Sequence, residues 1–152
     1  MERIKTIVVP VDFYENTDKL VNYAAYIGEA LSAKLNFVNV VNLVSGDAML
    51  GAPLSAEFQT RYRKEMQRRM KELVAAMQER CEGSTGEVVT GEPVRDIVAY
   101  AKENKGDLII ISTHGTKGLE SILLGSVARR VVKNAHCPVL VMNPFKSGPQ
   151  DS

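Results

Sequence analysis

Long apolar runs are absent from this chain. No stretch approaches the ~18 residues of a membrane-spanning helix, so no membrane association is expected. Net charge is almost absent as well. Nineteen Lys and Arg face 18 Asp and Glu, and a formal charge of +1 offers no electrostatic footing for nucleic acid or an anionic surface. Cysteine is scarce: Cys81 and Cys137 lie far apart, with no CxxC and no His/Cys cluster. That argues against zinc and against a disulfide framework, and fits reduced thiols in a cytoplasmic protein. The opening Met1-Glu2-Arg3-Ile4-Lys5 enters a strand pattern at once, so no signal peptide is expected. The P-loop pattern GxxxxGK[ST] and the dinucleotide pattern GxGxxG are both missing, which removes the tight phosphate cradles of the large NTPase and dehydrogenase classes.

What is present is ordinary for a globular protein: 45% hydrophobic and 24% charged residues in a chain of 152, enough for one domain with a real core. We read a single domain over residues 1–144 and a frayed tail over 145–152. Ile4 to Pro10 is a β-branched run, read as a buried first strand that Pro10 ends. Asn16, Thr17 and Asp18 start a helix whose apolar stripe is Leu20, Ala24, Ile27 and Leu31. Leu35 to Val41 is a second strand. Leu43 to Ser55 has no period and reads as a long, functional or disordered loop. A helix over Ala56 to Arg80 follows, with Phe58, Tyr62, Met66, Met70, Leu73 and Met77 as its core-facing stripe and an Arg/Lys/Glu series as its solvated face.

Thr85 to Thr90 reads as a third strand. Gly91-Glu92-Pro93 puts proline in the first turn of the next helix, which Gly106 closes. Asp107 to Ser112 is the fourth strand, Ser126 to Asn134 the last helix and Pro138 to Met142 the fifth strand. Strands alternating with helices imply right-handed parallel crossovers, hence a doubly wound five-stranded parallel α/β sheet with helices on both faces. We expect strand order 3-2-1-4-5, which places the ligand crevice between strands one and four, outside their carboxyl ends.

Two features meet there. Asp12 sits at the mouth of the first strand. Ser112-Thr113-His114-Gly115-Thr116-Lys117-Gly118 leaves the fourth, and Gly125-Ser126 opens the last helix. Glycine lets a ligand approach backbone closely, and a helix start presents unpaired N–H groups to an anion. The stretch reads as a phosphate cradle.

At these residues the chain resembles the universal stress protein family, in its ATP-binding branch. That branch's signature is Gly, two residues, Gly, nine residues, Gly, then Ser or Thr. Here Gly115 is followed by nine residues, Gly125 and Ser126, while Ser112 stands in the first glycine's place. The flanks VPVDF, TGEPVRDI, THGTKGLESILLGSVARRVV and HCPVLVM also look like the family, and the likeness runs from about Ile4 to Pro144. It implies a Rossmann-like, adenine nucleotide alpha-hydrolase-like fold. It also implies ATP, or AMP or ADP, with Asp12 at the adenine or ribose edge and Val40 contacting adenine through its backbone. Gly115, Gly125 and Ser126 would take the phosphates, with a further N–H from Val127, and Ser112 would lie against ribose and phosphates. Pro10, Val11, Ile111 and His114 complete the candidate set. If position 112 needs a positive φ, serine there is strained. Bound phosphates need charge compensation that the site supplies sparsely, so Mg or Mn bridging the phosphate oxygens is expected, without dedicated protein ligands.

Three functions compete. The leading one is a stress-response regulatory or protective nucleotide binder. The second is a slow ATP hydrolase, for which only His114, Lys117 and Arg129 offer themselves. The third is a nucleotide-free interaction module that has lost its ligand through Ser112. The last strand, PVLVM, would be an apolar sheet edge, which invites pairing with a second copy; family members form such homodimers.

Overall fold

The computed structural model describes residues 2–43, 55–113 and 124–146. Its elements are β1 (Thr6–Pro10), α1 (Thr17–Leu31), β2 (Lys34–Val41), α2 (Ala56–Met77), β3 (Thr85–Thr90), α3 (Pro93–Glu103), β4 (Leu108–Ser112), α4 (Ser126–Asn134) and β5 (Val139–Met142). The strands form one parallel sheet in the order β3-β2-β1-β4-β5, the order read from the alternation of patterns.

The central strands carry side chains to both faces, and each face meets helices. Ile7, Val9, Leu35, Phe37 and Ile110 pack with Leu20 and Ala24 of α1 and Met66 and Met70 of α2. Val8, Val38, Ile109 and Ile111 pack with Ile97 and Ala101 of α3 and Ala128 and Val131 of α4. Period-two alternation along each strand is what sorts them. Cys81 is buried, and both cysteines are free.

Element ends differ slightly from the sequence reading, for identifiable reasons. β1 begins at Thr6 rather than Ile4, because the Lys5 and Thr6 N–H groups donate to the Asp107 carboxylate, each at 2.9 Å. β5 begins at Val139, since Pro138 has no N–H to give and joins only through its carbonyl, which accepts from Ile109 at 3.0 Å. α2 ends at Met77 rather than Arg80; the Met77 carbonyl takes both the Arg80 and Cys81 N–H groups in a closing turn. The loop expected over Leu43 to Ser55 lies almost wholly outside the described residues, except for its ends. Ser55 caps α2 by accepting the Phe58 N–H at 3.1 Å.

Gly91 is required by a close approach. Glu92 caps α3 by accepting the Val94 and Arg95 N–H groups, and Asp96 reaches back to the Glu92 N–H at 2.7 Å. A Cβ on Gly91 would collide with that Asp96 carboxylate.

Candidate functional site

Parallel strands put all their carboxyl ends on one edge. β1 leads into α1 on one face, and β4 leads to α4 on the other, so the connections diverge between β1 and β4. The β1–β4 ladder pairs Ile7 with Leu108 and Val8 with Ile109, so Asp12 and Thr113 each follow the carboxyl end of one of two neighbouring strands.

Asp12 is held by the loop it starts. Its Oδ1 accepts the Tyr14 N–H at 3.0 Å and the Thr17 hydroxyl at 3.2 Å, an Asx-type turn. Among the described residues its Oδ2 has no such partner. Phe13 takes a left-handed backbone, φ 61°, and its carbonyl accepts from Arg69 Nη1 at 3.2 Å. A bulky residue at positive φ is costly and persists where neighbours over-determine it.

Beside Asp12 a cleft of about 240 Å³ opens at the mouths of β1 and β2, under the first turns of α2; Tyr14, Asn39, Val40, Phe58 and Tyr62 also stand on its walls. Phe58 and Tyr62 are stacked, with centroids 6.3 Å apart and planes 11° apart. Burial pushes the Tyr62 phenol above its ordinary range, and the hydrogen-bonded Tyr14 hydroxyl adds to that. Asn39 is 5% exposed; its Nδ2 donates to the Val11 carbonyl at 2.8 Å, whereas its Oδ1 is buried without a partner.

The sequence-derived candidates fall into groups. Asp12 and Val40 line the cleft. Val11 and Ile111 are core residues with buried side chains, so only their backbone is available to a ligand, and Pro10 is half-buried at the end of β1. Ser112, Gly125, Ser126 and Val127 gather at the β4–α4 side of the same edge and do not line the cleft. Ser112 ends β4, paired with Met142. It is not among the non-glycine residues with positive φ, which are Phe13, Ser32 and Lys105 among the described residues. The strain considered for a serine at 112 is therefore absent. Gly125 is the residue before α4, and Ser126 and Val127 are exposed at its start. His114, Gly115 and Lys117 lie outside the described residues.

Sequence reasoning missed Asn39, Tyr14 and the role of Phe58 and Tyr62. The helical period puts Phe58 on a core-facing stripe, yet it is 48% exposed, while Met66, Met70 and Met77 further along the stripe are buried. The one available signal for Asn39 was a polar residue inside the apolar strand LNFVNVV.

The topology and the crevice define an open, doubly wound α/β protein with its cleft at the carboxyl edge of the sheet. The chain belongs to the universal stress protein family, whose model matches residues 3–143. It is 35% identical to universal stress protein MJ0531 of Methanocaldococcus jannaschii over 145 residues, covering 93% of this chain and 84% of that one. Among solved structures, the protein MJ0577 of the same organism superposes with a TM-score of 0.80 at 24% identity, covering 96% of this chain and 100% of that one. The universal stress protein of Archaeoglobus fulgidus in complex with dAMP gives 0.60 at 23% identity, covering 92% and 98%. These two likenesses establish the fold. Among the described residues no helix is long and apolar enough to cross a membrane, and no cluster of potential metal ligands occurs.

Proposed function

We propose that this chain binds an adenine nucleotide, ATP or its relatives AMP and ADP, across the carboxyl edge of the sheet. On this reading it works as a stress-response regulatory or protective protein rather than a fast enzyme. The observation that carries the reading is the cleft beside Asp12 and Val40, at the mouths of β1 and β2 on the carboxyl edge of the sheet, next to the point where the β1 and β4 connections diverge. Its volume of about 240 Å³ suits the base and sugar and leaves the phosphates outside it. They would run toward the start of α4, where the N–H groups of Ser126 and Val127 and the positive end of the helix are available. Pro10, Val11 and Ile111 would contribute backbone, Ser112 its hydroxyl, and His114 and Gly115 the rest of the cradle. The related dAMP complex supports an adenylate as the ligand class. A divalent cation, Mg or Mn, would be held chiefly by the phosphate oxygens.

The family domain spans residues 1–144 on this reading, with 145–152 as a tail, and the protein works in the cytoplasm as a homodimer. β5 supports the dimer: it is an edge strand with all four residues half-buried, and the exposed Val132 lies on the adjacent α4.

The test is mass spectrometry of protein denatured directly after purification, joined to thermal shift in millimolar ATP. Co-purified adenine nucleotide, or a clear rise in Tm, is expected. A nucleotide-free protein whose Tm ignores ATP, ADP and AMP would be the interaction module instead.

A further inference from the structure

The orphaned oxygen of Asn39 restricts what the cleft can hold. A carboxamide has a donating and an accepting end. The donating end is committed to the Val11 carbonyl at 2.8 Å. That bond also fixes which way the amide points, because a flip would set oxygen against oxygen. The atom left over is therefore an acceptor, buried and without a partner among the described residues. Buried polar atoms are nearly always satisfied, so an acceptor left unpaired by the chain calls for a donor from outside it, a water or a ligand.

Three further observations locate that something. Asn39 lies on the wall of the cleft that also holds Asp12. Asp12 is another acceptor when ionised, so Asp12 and Asn39 both present acceptors to the cleft. Much of the rest of the wall is aromatic, and Val40, Val41, Asn42 and Leu43 complete it. Phe58 and Tyr62 present parallel rings, and Phe58 is 48% exposed although it belongs to an apolar stripe. Acceptors at the floor and rings at the side describe a flat heteroaromatic group with N–H donors on its edge.

We propose that Asn39 Oδ1 accepts a hydrogen bond from the exocyclic 6-amino group of the bound purine, with Phe58 and Tyr62 as the wall against which the ring packs. Asn39 is then the residue that separates 6-amino from 6-oxo purines. A 6-oxo group would bring an acceptor to an acceptor and leave both unpaired. This rests on the adenine-nucleotide reading above and deepens it. Sites that hydrogen-bond a ligand group discriminate strongly against the analogue lacking it, because their own buried polar atom is then stranded.

The experiment is calorimetric titration of the wild-type protein, Asn39→Leu and Phe58→Ala with ATP and with ITP. Wild type should prefer ATP by roughly tenfold or more. In Asn39→Leu the preference should shrink to about two- to threefold while ITP binding is kept, since the oxygen that reads the 6-substituent is gone; the Val11 carbonyl, which loses its donor, lowers stability without telling the two purines apart. Phe58→Ala should weaken both nucleotides by a similar factor, because stacking does not read the 6-substituent. Should Asn39→Leu fail to fold, the wild type still decides: at saturation the assigned Asn39 side-chain NH₂ resonances should move differently with ATP than with ITP, beyond the shifts that both share. An ATP/ITP ratio unaltered in Asn39→Leu, or NH₂ resonances that move alike with both nucleotides, overturns the role of Asn39 and leaves adenine-nucleotide binding intact. Failure of wild type to bind either nucleotide overturns both.

Discussion

Gly125 donates its N–H to the Thr113 carbonyl at 2.9 Å, and a Cβ built on Gly125 would stand 2.7 Å from that same oxygen. The two ends of the segment between β4 and α4 are thus pinned backbone to backbone. Gly125 is not at positive φ; its φ is −57°. Glycine is needed there for closeness, and the partner is a main-chain oxygen that cannot swing aside. Gly125→Ala should therefore cost roughly 1–3 kcal/mol, read as a lower urea midpoint, and should weaken ATP binding by displacing the start of α4. An unchanged midpoint would show that the segment closes without this contact.

Ser112 yields the opposite expectation. It ends β4 in extended backbone, paired with Met142, so restoring the family's glycine relieves no strain. Ser112→Gly should leave stability unchanged or lower it by up to about 1 kcal/mol, through added freedom in the unfolded chain. Its ATP affinity should stay within a few-fold of wild type. A large gain in stability or affinity would mean that serine at this position is what limits the site.

Sheet order, and with it the carboxyl edge that Asp12 and the α4 start share, was legible because it follows from topology. Alternating strands and helices allow few parallel arrangements, and a strand-end aspartate and a glycine-flanked helix start have only one edge to share. The aromatic wall was not legible, since helical period shows which face of a helix is apolar but not how far the sheet beneath it extends. α2 has 22 residues, about 33 Å at a rise of 1.5 Å per residue. β3, against which it packs, has 6 residues, about 20 Å at 3.3 Å each. The first turns, with Phe58 and Tyr62, overhang the strand mouths and become a wall of the cleft. Asn39 was hidden for a different reason: its meaning lies in one filled and one empty hydrogen-bonding end, which only coordinates reveal.

Asp12 has a structural duty as well as the proposed ligand duty, and substitution can separate them. Its Oδ1 secures the Tyr14 N–H and the Thr17 hydroxyl. Asp12→Asn keeps an oxygen for both and should remain within about 0.5 kcal/mol of wild-type stability. Asp12→Ala loses both bonds and should cost about 1 kcal/mol. Both should lose roughly tenfold or more in ATP affinity, since charge-assisted hydrogen bonds are the stronger ones. If Asp12→Asn binds ATP as wild type does, Asp12 serves only the turn.

The loop that carries Asp12 is tied to α2 through charge. Arg69 Nη1 donates to the Phe13 carbonyl at 3.2 Å while its Nε holds Glu65 at 3.1 Å, and Arg68 grips the same carboxylate at 2.6 Å. These guanidinium groups, Arg68 first and Arg69 next, hold the Glu65 carboxyl down at about 2. The ordinary value is 4.5, so the folded state binds this proton less readily than the unfolded chain. The contribution of Glu65 to stability is accordingly present in full above about 4.5 and is lost as pH falls through about 2. The pair is solvent-facing, so that contribution is small and weakened by salt. A carboxyl-carbon NMR titration should place the Glu65 midpoint near 2 in wild type, and Arg68→Ala should move it upward toward 4.5. Arg69→Ala should move it upward less, yet should be the variant that weakens ATP binding, because it alone releases the Phe13 carbonyl and with it the Asp12 turn. Equal effects of the two substitutions on nucleotide affinity would refute a specific tie between α2 and that loop.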